Sequence, residues 1–335
     1  MAGMSKMLTI CDIIVKELRR YIVFIKKNKM TGRLIVNLFG LRLKFRLPVK
    51  NKHADERFAN LLYELADPRT LEKVKLPKVL NLYDTLYALV DSNKSLARFG
   101  DGEFKIMMGE SINFQKYDKK LAERLGEVLS NNTENLMVGI PDVFGYCPSE
   151  YFRRVLISSR EHLYKYMNFE RTYCDAFLTR QSKFESESKG NDYYRNLKKL
   201  WENKDIVIVE GEGSRLGIGN DLFSNVKSIR RILCPIKDAF SKYDEILASC
   251  KKSDGELFIV ALGPTATILA YDLCKAGYRA LDVGHVDTMY EWFLRKATKS
   301  VHIEGKIVFN EERNKKSLKP CKDKKYYEQI ITTVE

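Results

Sequence analysis

What most constrains this chain is a rhythm of apolar runs. Short, predominantly apolar stretches at 95–99, 136–140, 205–210, 229–234, 257–262 and 279–283 alternate with segments of helical spacing at 78–91, 118–130, 149–167, 238–250, 264–276 and 287–296. A strand that is apolar at every position is buried on both faces, and helices between such strands supply both covers. The rhythm therefore predicts an α/β fold with a mostly parallel, Rossmann-like sheet and helices on both faces. With 335 residues, 44% of them hydrophobic, the chain can fill such a core. Disordered and fibrous classes are excluded.

The boundaries follow from charge. Residues 1–52 hold 13 Lys and Arg against the acids Asp12 and Glu17, a net +11 of the chain's +14. A basic N-terminal arm over 1–52 is therefore set apart from a body over 53–300 and a lysine-rich tail over 301–335, read as a solvated edge. In the arm, Leu8, Cys11, Val15, Leu18, Ile22 and Ile25 recur at three- and four-residue spacing, which predicts an amphipathic helix over 8–29. The stretch from Leu34 to Arg46 reads as strands. A body so close to neutral is no general nucleic-acid binder. No apolar run approaches the roughly 18 residues of a membrane-spanning helix. The first six residues lack a signal-peptide pattern, and seven cysteines without a Cys-x-x-Cys pair suggest reduced thiols in the cytoplasm. The arm's apolar stripe and its cluster Arg19, Arg20, Lys26, Lys27 and Lys29 suit peripheral contact of residues 1–47 with the inner face of the cell membrane. Packing of that stripe on the body is the competing reading.

In open α/β sheets ligands bind outside the carboxyl ends of the strands, and four unusual segments follow such ends. Arg98-Phe-Gly-Asp-Gly-Glu103 places two carboxylates two residues apart; in extended chain they share a side and can share one hard divalent cation. A second Asp-Gly-Glu, at 254–256, precedes a strand and reads as a plain turn. Glu210-Gly-Glu-Gly-Ser-Arg-Leu-Gly-Ile-Gly-Asn-Asp221 matches neither a dinucleotide fingerprint nor a Walker loop. Its glycines, Gly217 and Gly219 among them, let amides approach a phosphate, and Arg215 can fork onto phosphate oxygens. Gly263-Pro-Thr-Ala-Thr267 opens a helix whose free amides attract anions. Asp282-Val-Gly-His-Val-Asp287 offers His285 and Asp287 as a general base or as partners of a sugar hydroxyl.

Taken together and in this order, the four segments resemble the bacterial glycosyltransferases of the GT-D fold, over about residues 75–300. The resemblance implies a GT-D type fold and transfer of a sugar from a nucleotide-sugar, typically a UDP-sugar. It also implies a divalent metal, Mn²⁺ or Mg²⁺, held through Asp101 and Glu103. The donor pocket would take in Arg98, Glu210, Arg215, Gly217, Gly219, Asn220, Asp221, Gly263 and Thr265. Asp287 and His285 are then the candidates for the acceptor base, with a glycan, glycoprotein or lipid-linked acceptor of surface polysaccharide or glycoprotein synthesis. A nucleotide-sugar or phosphate-ester hydrolase and a non-catalytic carbohydrate- or nucleotide-binding subunit are the competing readings.

Overall fold

The computed structural model describes residues 24–27, 33–38, 41–46, 77–141, 163–307 and 319–335. The chain divides into two compact units, Met1–Lys73 and Val74–Glu335. In the first unit, β1 (Phe24–Lys27), β2 (Arg33–Leu38) and β3 (Leu41–Arg46) form an antiparallel sheet. The register runs from Arg33 opposite Arg46 to Leu38 opposite Leu41, and β1 sets Phe24 opposite Asn37. The strands expected after Leu34 are present. The expected helix over 8–29 is not helical at its end: 24–27 pairs as a strand, and most of the rest lies outside the described residues. Aromatic and β-branched residues such as Phe24 and Ile25 favour a pleated partner when one is available.

Among the described residues, the second unit is built on nine parallel strands. In chain order its elements are β4 (Lys78–Val79), α1 (Leu82–Val90), β5 (Ser95–Arg98), α2 (Asp101–Met107), α3 (Lys119–Ser130), β6 (Leu136–Ile140), β7 (Thr172–Asp175), α4 (Glu187–Lys198) and β8 (Asp205–Gly211). Then follow β9 (Ser228–Cys234), α5 (Tyr243–Ser253), β10 (Leu257–Ala261), α6 (Pro264–Lys275), β11 (Arg279–Asp282), α7 (Val286–Leu294), α8 (Lys324–Glu328) and β12 (Ile330–Thr333). The order across the sheet is β12-β9-β8-β10-β11-β5-β6-β7-β4. From β5 the chain steps outward through β6 and β7, crosses to β8 and β9, and returns through β10 and β11 to fill the gap. Such a reversal leaves crevices at the carboxyl edge.

Strand periodicity sends successive side chains to opposite faces. Val207, Val209, Phe258 and Val260 enter one core with Phe99, Phe104, Leu121 and Ile268. Ile206, Ile208, Leu257 and Ile259 enter the other with Leu86, Tyr193, Trp201 and Leu281. Both faces are covered, as continuous apolarity requires. Each such buried side chain contributes roughly 1.5–3 kcal/mol.

The structure departs from the sequence reading in particular places. The start of the expected helix 78–91 is the edge strand β4, and Asn81 then caps α1 by accepting from the Asp84 amide at 2.9 Å. Of the helix expected over 149–167, residues 149–162 lie outside the described residues, and 164–166 are turn. The tail is not merely a solvated edge: β12 pairs with β9, and Tyr326 and Val334 are buried. Asp254 ends α5 in a left-handed conformation at the amino edge of β10, the face opposite the crevices.

Candidate active site at the carboxyl edge

Two neighbouring groups of side chains gather at the carboxyl edge. The first lies at the ends of β5 and β11. Arg98 turns its guanidinium onto β11: Nη2 donates to Asp282 Oδ1 at 3.0 Å, and Nε donates to the Asp282 carbonyl at 2.7 Å. Nη1 reaches the Ala176 carbonyl after β7 at 3.0 Å. One buried arginine thus ties three strand ends. The close fit explains Gly284, whose φ is +48° and where a Cβ would collide with Arg98 Nη2. Burial lifts the Asp282 carboxyl above its usual range, and Arg98 opposes that rise.

Asp101 and Glu103 follow β5, but not in extended chain. They occupy the first and third positions of α2, where the free amides favour acidic residues. Two residues on a helix are about 200° apart around its axis, so the shared side expected of a strand is replaced by divergence. Glu103 turns back to accept from the Gly100 amide at 2.6 Å, while Asp101 Oδ2 accepts from Lys105 Nζ at 3.1 Å. Glu103 supplies one half of a capping box, a side chain that reaches back to the N-cap amide, without the N-cap side chain of the other half. Burial, then Asp282 and Asp101, push the Glu103 carboxyl up to about 7. Arg180, which the sequence reading missed, feels Arg98, Asp101 and Glu103 electrostatically, and burial and Arg98 push its pKa down. Helix α6 opens beside them. Its Thr267 hydroxyl donates to the Arg98 carbonyl at 2.8 Å, and Gly263 takes φ +57° where a Cβ would strike Phe114. The Thr265 hydroxyl is fully buried and has no hydrogen-bond partner among the described residues.

The second group holds the glycine-rich loop. Asp287 Oδ1 accepts from the Gly217 amide and from Asn220 Nδ2, both at 2.8 Å, and Oδ2 accepts from Lys306 Nζ at 2.6 Å. Asn220 Nδ2 also reaches Glu291 Oε1 at 2.8 Å. With Asp287 only 3% exposed and three donors on it, its carboxylate anchors the loop. Glu210 is buried, accepting from Arg231 Nη1 at 2.6 Å and from the Leu216 amide at 2.8 Å. Arg215 is spent on carbonyls, those of Gly305 and Lys319, each at 2.5 Å. Two of its three guanidinium nitrogens bind backbone, while Nε is buried with no hydrogen-bond partner among the described residues. Asp221 is exposed and accepts from Lys198 Nζ and the Tyr290 hydroxyl, both at 2.7 Å. Gly219, at φ +80°, has nothing within 4 Å of where a Cβ would stand. His285, half-buried at the start of α7, lies in the connection that joins the two groups.

The donor set can be tested against a cation. Among the described residues no three His, Cys, Asp or Glu side chains gather to hold a metal by themselves. Asp101 and Glu103 are hard oxygen donors of the kind Mg²⁺ takes, but they diverge on α2 and already engage Lys105 and the Gly100 amide, so a shared ion requires their side chains to turn from these partners. At the opposite, amino edge a cleft of about 420 Å³ is lined by Lys94, Glu134, Arg171 and neighbours, and lacks any such carboxylate pair.

A doubly covered parallel sheet with charged groups and a glycine-rich loop at its carboxyl edge is an open α/β architecture, whose ligands sit at that edge. Comparisons narrow the class. The family model for glycosyltransferases of the GT-D fold matches residues 96–311. Glycosyltransferase GlyD of Streptococcus pneumoniae serotype 4 is 35% identical over 297 residues, covering 85% of this chain and 36% of that protein. The probable glycosyl transferase Gly of Streptococcus gordonii is 36% identical over 266 residues, 76% of this chain and 39% of that protein. The chain thus spans little more than a third of the length of these curated relatives. The solved structure of domain of unknown function 1792, described as a distinct glycosyltransferase fold, aligns with a TM-score of 0.70 at 37% identity, covering 77% of this chain and 96% of that one. A glycosyltransferase structure from Streptococcus sanguinis aligns equally well, over 78% of this chain and all of that one. The chain belongs to the GT-D fold glycosyltransferase family.

The raised Glu103 carboxyl makes a prediction about pH. An acid whose folded pKa lies above its unfolded value of about 4.5 stabilises the fold fully below that pH and progressively less as pH rises toward 7. Glu103→Gln keeps an acceptor for Gly100 and removes the titration. Chemical denaturation between pH 4.5 and 7 should then show a flatter loss of stability in the variant. Identical slopes in the two proteins would mean that Glu103 titrates normally.

Proposed function

We propose that this protein is a metal-dependent glycosyltransferase that moves a sugar from a nucleotide-sugar, in the first instance a UDP-sugar, to a glycan, glycoprotein or lipid-linked acceptor. Membership of the family supports transfer. The observation that carries the finer reading is the crowding of Asp101, Glu103 and Asp282 with Arg98 and Arg180 beside the start of α6. Carboxylates held this close favour a cation, and the α6 amides favour an anion next to it.

In this reading Asp101 and Glu103 hold Mn²⁺ or Mg²⁺. When bound, the ion supplies the positive charge that stabilises a departing nucleotide diphosphate. Arg98 keeps the ends of β5, β7 and β11 in register, so both carboxylates start from a fixed strand end. Asp287, Asn220 and Lys306 fix the glycine-rich loop that forms the neighbouring wall. With Asp287 occupied as an anchor, His285 remains the candidate to take the acceptor proton, since a neutral imidazole can accept one near pH 7. We further infer that the basic arm, residues 1–47, brings the protein to anionic lipid, where a lipid-linked acceptor would stand.

Two measurements test this. Release of UDP from a panel of UDP-sugars, with and without Mn²⁺, should be metal-dependent in the wild type. In Asp101→Asn it should fall by about 100-fold or more, a loss typical of removing a group that acts in the transition state. Asp254→Asn, at the amino edge, should behave as wild type. Full activity of Asp101→Asn in limiting metal would reduce the motif to a helix start. For the arm, deletion of residues 1–47 should release the protein from anionic vesicles at low salt while leaving UDP release intact, and a full-length chain that ignores such vesicles would refute the attachment.

A further inference from the structure

The glycine-rich loop between β8 and β9 is built in an unusual way. Gly213, Arg215, Gly217 and Gly219 all have positive φ, +93°, +50°, +74° and +80°. Every second residue is therefore left-handed, and at Arg215 the conformation is one that a side chain disfavours. Such a backbone persists only when its surroundings over-determine it.

Part of what holds it comes from the far end of the chain. Arg231 on β9 is 1% exposed and every nitrogen of its guanidinium is used. Nη1 donates to Glu210 Oε1 and Nη2 donates to the Leu216 carbonyl in the loop, at 2.6 and 2.9 Å. Nε donates to Gln329 Oε1 at 2.7 Å, and the Arg231 amide donates to the Gln329 carbonyl at 2.7 Å. Arg215 donates from the loop to the Lys319 carbonyl at 2.5 Å. The buried ring of Tyr326 lies 5.7 Å from the Arg215 guanidinium carbon and 5.2 Å from that of Arg231. An edge strand needs only its ladder, and β12 has one with β9. The side chains of Gln329 and Tyr326 do something further: they grip the two arginines that shape the loop. Lys319 to Glu335 also lies beyond the residues 96–311 that match the family model.

We propose that residues 319–335 are a latch that positions the glycine-rich loop for the donor nucleotide-sugar, with Gln329 and Tyr326 as its positioning residues. This rests on the reading of the carboxyl edge as the donor site. The physical gain is preorganisation: a loop ordered by the fold need not be ordered by the substrate, so the latch acts on donor binding more than on the chemical step.

The test uses the full chain. Gln329→Ala removes the side-chain acceptor of Arg231 and leaves the backbone carbonyl. Hydrogen exchange of amides 211–219 should speed up about tenfold or more, while β10 and β11 exchange as before. Donor KM should rise about fivefold or more with kcat within about twofold. Gln329→Glu, which keeps an oxygen for Arg231, should restore both. Tyr326→Leu, an independent variant, should move both readouts the same way. Unchanged loop exchange in Gln329→Ala and Tyr326→Leu would overturn the latch. Faster loop exchange with unchanged donor KM would overturn its role in donor positioning, and a lower thermal midpoint with neither readout moved would leave 319–335 an edge strand only. If the wild type turns over no nucleotide-sugar, the donor-site reading itself fails, and the exchange comparison still decides whether the latch exists.

Discussion

A carboxylate buried where apolar strands end must find donors, and at this edge three of them govern what surrounds them. Asp282 takes Arg98, Glu210 takes Arg231 and the Leu216 amide, and Asp287 takes Lys306, Asn220 and the Gly217 amide. Breaking such a pair by removing one partner typically costs about 3–5 kcal/mol, because the other charge is left stranded. The pairs therefore act as joints. One ties β5 to β11 and the turn after β7; the other two hold the glycine-rich loop against β9 and α7.

This division separates structure from chemistry along one edge. The residues that most looked like ligands in the loop, Arg215, Asn220 and Glu210, are engaged with the protein itself. Those at the start of α2 are instead crowded with like charge, and Glu103 is lifted far enough to hold a proton near neutrality. A charge-crowded helix start at the carboxyl edge is the arrangement expected where a charged substrate is to be received.

Much of the fold could be read from the sequence, since continuous apolar runs leave little choice but a doubly covered parallel sheet. The strands that escaped notice were short or polar: Lys78–Val79, Thr172–Asp175 and Ile330–Thr333, the first and last at the two edges of the sheet, where fewer neighbours demand apolar residues. The gathering of the four unusual segments at the carboxyl edge was legible too, because each follows a strand of a parallel sheet. Its internal pairings were not. Arg98 meets Asp282 across 184 positions and Arg231 meets Gln329 across 98, distances at which no local pattern operates. Arg231 did carry a signal: with Arg230 it puts charge into a largely apolar strand, and a fold buries such a charge only when it is paired. The divergence of Asp101 and Glu103 was hidden by Gly102, which made a helix start look like a turn.

The central claim is that the carboxyl edge receives the nucleotide-sugar. Amide hydrogen exchange of the full chain, with and without a turned-over UDP-sugar and Mn²⁺, tests it most directly. Protection is expected at 98–105, 211–221, 263–267 and 282–287, with the amino edge around Lys94 and Arg171 unchanged. Protection confined to the amino edge, or none at the carboxyl edge with the donor in saturating excess, would contradict it.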